Sequence, residues 1–323
     1  MNFFQKTIKH KSLEWWLFVI VPCFLSVFLS GCFTGIESTK KISLSREDRK
    51  NSVLSAEEKF MTGIMPSPLK EWESGKSFIV SDDRAMVVLQ PEAGLVSSPP
   101  SSIKGEVLKF HGVESKINPA GVITVALLFS DGKYIYSYDT GKEFDSAMEE
   151  VLSDQVPMLI DVDMVEQARD LLMNHKLWTR TNLWYDDKDN RIDGLKYVSV
   201  TVVDVTPGNM LFPLKLRIKK EDGGEAFVFM NFGNSDTESR SFHNLFSLTD
   251  ITRHYPGIDA DTWGYISRGK VREGMTKEEV KLALGNPTDL NSGHDYSQTL
   301  DIWSYDNGIV LWFEDGRLVK IRQ

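Results

Sequence analysis

The chain has 323 residues, 41% of them hydrophobic and 26% charged, with a net charge of -9 and a pI near 5.3. This is a globular composition with room for two or three domains, and it excludes wholesale disorder, collagen-like repeats and multi-spanning membrane architectures. The acidic balance offers no broad basic surface to release counterions from a phosphate backbone, so nucleic acid is not an expected partner.

At the N-terminus, Lys6, Lys9 and Lys11 precede an apolar run from Trp15 to Leu29, which leads into Leu29-Ser30-Gly31-Cys32. A basic stretch, a short apolar stretch and small residues before a cut make a secretory signal over 1–31. As a retained anchor the run falls short of the ~20 residues a spanning helix needs. The Leu-Ser-Gly-Cys tetrad resembles the bacterial lipobox. The resemblance implies cleavage after Gly31, a diacylglycerol on the Cys32 sulfur and a further acyl chain on the freed amine. Cys23 then leaves with the signal and lipid consumes Cys32, so no thiol remains for disulfides, thiol catalysis or cysteine-ligated zinc. Three lysines and one glutamate also leave, which takes the mature net charge to -11. Anionic head groups repel such a body, so attachment rests on acyl chains whose buried methylenes contribute ~0.8 kcal/mol each. Phe33-Thr34-Gly35 follow Cys32 with no Asp beside the lipid site. By resemblance to lipoprotein sorting in Gram-negative cells, that favours the outer membrane.

Residues 32–70 read as a polar tether with one short helix at 55–60, started by Ser55 with Glu58 three residues on. A first β module is expected over 71–155. Its strands are Phe78 to Val80, Ala85 to Leu89, Glu106 to His111, Val122 to Phe129 and Tyr134 to Tyr138, with Asp131-Gly132 as the turn of the last hairpin. A second module over 156–248 opens with an amphipathic helix from Asp161 to Asn174. Strands Lys176 to Trp184, Tyr197 to Val205, Leu211 to Ile218 and Glu225 to Phe232 follow, the last two joined at Asp222-Gly223. The order of strand, polar loop, strand, Asp-Gly hairpin and strand occurs twice, which suggests a degenerate repeat of two small SH3-like or open-barrel β modules.

The segment 249–323 carries the sharpest local signals. Asp261 to Ile266 reads as a short helix. Thr276 and Glu279 form a capping box for a second helix whose stripe is Val280, Ala283 and Leu284, with Gly285 as a left-handed exit and Pro287 as a stop. Asp301 to Ile321 reads as three antiparallel strands turning at Asn307-Gly308 and Asp315-Gly316, with Ile309, Leu311 and Phe313 on one face. The expected fold class is therefore α+β: β-rich modules followed by two helices on a three-stranded antiparallel sheet. The pattern G-M-T-x-x-x-V-x-x-x-L-G-x-P, then W-x-Y, then F-x-D-G-x-L resembles the SmpA/OmlA, or BamE-like, family of small outer-membrane lipoproteins. That resemblance covers under a quarter of the chain. It implies a helix-pair-on-sheet module and a place among accessory proteins of outer-membrane assembly, although family members are shorter and lack the preceding β material.

Catalytic spacings are missing from the sequence. His111, His175, His243, His254 and His294 are scattered without H-x-H or H-E-x-x-H spacing, and no nucleophile elbow, phosphate loop or dinucleotide fingerprint occurs. Asp186 to Gly194 is rich in oxygen ligands, but a calcium-loop frame from Asp187 lacks Gly at the sixth place and one from Asp189 puts Arg191 at the third and no Glu at the twelfth, so a polar hairpin fits better. The reading is a non-catalytic lipoprotein without cofactor or metal, held to the membrane by acyl chains on Cys32 and acting on an envelope protein through contact. The alternative is a wall- or ligand-binding protein using its SH3-like modules. The candidate interface is the last strand's edge from Leu318 to Ile321, including Lys320, together with Trp312, which alternation turns away from Leu311 and Phe313. Coverage of Trp312 by an upstream module, with Lys320 and Arg322 blocking the edge, is the competing expectation.

Overall fold

A computed structural model describes residues 55–64, 66–91, 100–117, 120–149, 156–232, 240–295 and 298–322. The signal, Gly31 and Cys32 lie outside these residues, as does the first part of the tether. The chain is α+β, with three antiparallel sheets and seven short helices among the described residues.

The first sheet contains β1 (Ser77–Val80), β2 (Gln90–Pro91), β3 (Val107–Ile117), β4 (Ile123–Ser130), β5 (Ile135–Asp139) and β6 (Leu159–Asp161), in the order β2-β5-β4-β3-β1-β6. The second contains β7 (Lys176–Thr179), β8 (Leu183–Tyr185), β9 (Arg191–Asp193), β10 (Ser199–Pro207), β11 (Leu214–Lys220), β12 (Glu225–Met230) and β13 (Phe246–Ser247), in the order β13-β7-β10-β11-β12-β8-β9. Apart from β9, the two circuits coincide. The first strand pairs with both the third and the last, the third to fifth make a meander, and the second strand pairs with the fifth. The third strand shows a register shift in each, between Phe110 and Gly112 and between Val202 and Asp204. A bulge there bends the strand so that it can serve two sides of a curling sheet. The Asp-Gly hairpins expected from sequence close β4 to β5 and β11 to β12, with Gly132 at φ +88° and Gly223 at φ +87°.

Helices fill the connections: α1 (Ala56–Met61), α2 (Ala85–Val88), α3 (Phe144–Glu149), α4 (Val162–Leu172), α5 (Phe242–Leu245), α6 (Ala260–Ser267) and α7 (Lys277–Leu284). Asp161 caps α4 by accepting from the Asp163 N–H, and Met164, Val165, Ala168 and Leu172 give its buried face. The segment 85–88 is helical and not the strand its valines suggest. The Asp82 carboxylate accepts from the Arg84 N–H at the head of this turn, and Val87 is left exposed to solvent.

Two boundaries differ from the sequence reading. The tether does not extend to residue 70: α1 has its capping box at Ser55 and Glu58, and Met61 and Ile64 join the core of the second sheet, while Leu69 and Trp72 join that of the first. Burial of side chains this size contributes ~1.5–3 kcal/mol each, enough to fix a six-residue helix that would not persist alone. The boundary at 155/156 also moves, because β6 pairs with β1 across Ile79 and Ile160 and so completes the first sheet after that point. The two β modules therefore interleave. Lys76 strengthens this junction, its Nζ lying 2.9 Å from Asp161 and 2.6 Å from Asp163 at the start of α4.

The third sheet has four strands: β14 (Asp289–Asp295), β15 (Gln298–Ser304), β16 (Val310–Glu314) and β17 (Arg317–Arg322), in that order. The expected meander is β15 to β17. β14 is the addition, and its sequence Asp289 to Asp295 carries no apolar alternation because Asp289 to Gly293 are all exposed. Ile266 of α6 and Val280 and Ala283 of α7 pack with Trp303, Leu311, Phe313 and Leu318 on the inner face. The buried Asp301 carboxylate on that face takes Lys277 of α7 as its ion partner.

Candidate interaction surface

Alternation on the third sheet divides the predicted interface residues. Leu318 stands opposite Phe313 and is 1% exposed, so its side chain belongs to the core and not to a contact surface. Its backbone is also engaged: the Gly274 N–H donates to the Leu318 carbonyl at 2.7 Å and the Leu318 N–H to the Met275 carbonyl at 2.8 Å. The chain entering α7 thus occupies the start of the edge that the sequence reading left open, at Leu318. The register shift opposite Trp312 and Phe313 leaves Val319 as an extra residue in β17, a device that disfavours strand addition.

Trp312 and Lys320 lie on the outer face, in register with each other and with Ile302. Leu300 with Glu314 and Arg317, and Ser304 with Val310 and Arg322, flank that row. Trp312 is half-buried, with Lys320 Nζ 4.9 Å and Arg322 Cζ 5.8 Å from its ring centre. Among the described residues, Leu300, Ile302, Val310 and Trp312 join none of the three buried clusters, so the cover over the indole comes from the two basic side chains of its own sheet. A cation over an indole is worth ~0.5–1 kcal/mol at an exposed site, and its aliphatic stem can swing aside when a partner arrives. The face therefore combines an aliphatic and aromatic row with a basic rim on an otherwise acidic chain.

Neighbouring large aromatic side chains are mainly structural. Trp184 and Trp303 are core residues, and the half-buried Tyr305 donates its hydroxyl to the Gly285 carbonyl at 3.2 Å. Within 186–194, residues 186–190 turn the chain from β8 into β9. The Asp186 carboxylate accepts from the backbone of Lys188 and Asn190, so its oxygens organise a turn. Among the described residues, no group of three or more His, Cys, Asp and Glu is placed to hold a metal ion, and no helix is long and apolar enough to cross a membrane.

Sequence reasoning missed the joint between the second and third sheets. Lys196 donates from Nζ to the Ala283 carbonyl at 2.6 Å, and Tyr197 from its hydroxyl to the Leu282 carbonyl at 2.9 Å. These are two of the last carbonyls of α7, which no intrahelical N–H can reach. Burial pushes the Lys196 ammonium below the ordinary lysine range and the Tyr197 phenol up to about 12. Tyr197 holds φ at +59°, an uncommon conformation for an aromatic residue, and its ring packs on Trp263 of α6. No local sequence pattern announces such a residue. No family model, no curated protein and no solved structure matches the chain.

Proposed function

We propose that the chain is a bacterial envelope lipoprotein, anchored through acyl chains on Cys32, facing the periplasm from the outer membrane, and acting without catalysis through contact with an envelope protein in outer-membrane assembly or maintenance. The Leu29-Ser30-Gly31-Cys32 tetrad supports the anchor, and Phe33-Thr34-Gly35 without an Asp beside the lipid site supports the location. The helix, turn and strand order of the C-terminal segment supports a BamE-like module, with β14 as an extra strand. The observation that carries the contact reading is the outer face of the third sheet, where Trp312 and Ile302 stand in register beneath Lys320 and Arg322.

Site-specific photocrosslinking from position 312 in cells, run beside Trp312→Ala, tests this. The alanine variant should lose about 1 kcal/mol of stability, mainly the two cation–π contacts, and should lose its crosslinked or co-purified partner. An unchanged partner set would remove this face from the function. A second reading has its own support: a first strand paired with both third and last, a bulged meander and a short helix before the last strand are consistent with an SH3-like circuit, here repeated. Recovery of wall fragments with the chain would favour that binding role.

A further inference from the structure

Helices α6 and α7 cover the inner face of the third sheet. An antiparallel sheet that meets water on its other side normally turns polar residues that way. The two central strands do the opposite. On the outer face, Leu300 and Ile302 of β15 stand in register with Glu314 and Trp312 of β16, and Ser304 with Val310. Leu300 is 36% exposed, and Ile302, Val310 and Trp312 are half-buried. Among the described residues, no second layer packs these four into a core, although an apolar sheet face ordinarily gains one.

The border strands set the charge that a cover must carry. β17 places Arg317, Lys320 and Arg322 along one side, all exposed, and residues 317–323 contain no acid. Arg317 donates to the Gly274 carbonyl at 2.9 Å, and Lys320 and Arg322 lie against the Trp312 ring. None of the three forms an ion pair among the described residues. On a chain of net charge -9, this is a local excess of cations that calls for carboxylates from outside. Glu314, opposite Arg317, and Asp289 on β14 share the face. An anionic bilayer would repel them while attracting the bases, whereas a folded partner can set its own charges against each.

Geometry favours a helix as that partner. Neighbouring strands lie ~4.8 Å apart, so a helix ~10 Å across spans the two central strands, with its flanks over β14 and β17. Carboxylates on the flank above β17 can draw Lys320 and Arg322 off the indole and open Trp312 to the helix's apolar stripe. We propose that the outer face of the third sheet binds an acidic amphipathic helix of an envelope protein, its apolar stripe on Ile302, Val310 and Trp312 and its carboxylates on Lys320 and Arg322. This rests on the protein-contact reading and gives that partner a shape and a sign.

The test places a photocrosslinker at position 310, which leaves Trp312 intact, in the full chain in cells, and sequences the crosslinked peptides by mass spectrometry. The expected products come from a helical segment whose apolar stripe is flanked by Asp or Glu. Lys320→Glu with Arg322→Glu should lower the crosslink yield by about fivefold or more, whereas Lys320→Arg with Arg322→Lys should preserve it. Should the reversed pair fail a melting control, crosslinking in isolated envelopes over rising salt takes its place, and the yield should fall as ions screen the exposed pairs. A yield that withstands charge reversal or salt, or peptides without such acids, would overturn the acidic helix and leave protein contact standing. A phospholipid as the crosslinked product, or no product at all, would overturn both.

Discussion

Tyr197→Phe isolates the joint between the second sheet and the C-terminal helices. The substitution keeps the ring, and with it the edge contact to Trp263 at 5.7 Å, and deletes only the hydroxyl that donates to Leu282. A hydrogen bond is worth ~0.5–1.5 kcal/mol net, and leaving a half-buried acceptor unpaired adds a comparable cost, so a loss of about 1–2 kcal/mol is expected at neutral pH. For a unit of this size that lowers the melting temperature by roughly 2–6 °C. The pH dependence is a second signature. The folded pKa of Tyr197 is raised from 10 to about 12 by burial, so its neutral form stabilises the fold fully below pH 10 and that contribution is lost as pH rises through about 12. Two pK units correspond to a limb of up to about 3 kcal/mol, which phenylalanine cannot show. Thermal melts of both forms from pH 7 to 12, with hydrogen exchange on the α7 amides, measure both effects. Equal melting temperatures at pH 7 and parallel alkaline limbs would refute the capping role.

Gly285→Val should cost well over ~1 kcal/mol in a chemical denaturation series, because Gly285 sits at φ +86° and ψ -169°, a region open essentially to glycine, even though no atom crowds its Cβ position. Lys76→Met should destabilise by about 3 kcal/mol at pH 7, since it strips the partner from an Asp161 that is 2% exposed. Burial already raises the Asp161 pKa, and with the cation gone it rises further; the neutral acid is favoured in the fold, so the penalty should shrink as pH is lowered toward 4 in matched denaturant titrations. Cys32→Ser should release the chain from membranes or leave it as unprocessed precursor on fractionation; a processed, membrane-bound variant would end the lipobox reading.

What the sequence made legible was what a few neighbouring residues decide. The capping boxes at Ser55/Glu58 and Thr276/Glu279, the Asp161 cap and the Asp-Gly turns all lie where their local chemistry put them. What it concealed was non-local. β14 is an exposed edge held in register with β15, so selection for burial left no apolar period to read. The three residues of β6 are too few to declare a partner, and they close the first sheet from beyond the boundary drawn through the loop before them. The interface residues show the same division. Alternation correctly separated Trp312 from Leu311 and Phe313, but no pattern marks the extra residue at Val319, and the return of Gly274 and Met275 to Leu318 depends on chain that lies more than forty positions away.

The interleaving bears on how an anchored chain would transmit what it binds. Ser55 caps the first described helix, and two residues later Glu57 reaches the Ser247 hydroxyl and the Leu248 N–H beside Arg180. Among the described residues, α1 therefore packs on the second sheet before the chain has built the first. Across the same region, Lys196 and Tyr197 hold the end of α7, and α7 packs on the inner face of the sheet whose outer face presents Trp312. A continuous set of packed elements thus runs from α1 through the second sheet to the sheet that presents Trp312. Such continuity is a physical route by which a change at α1 can reach the outer face. Double-mutant cycles between Glu57 and Tyr197, read by hydrogen exchange at α7, would show whether α1 and the outer face share one equilibrium or act apart.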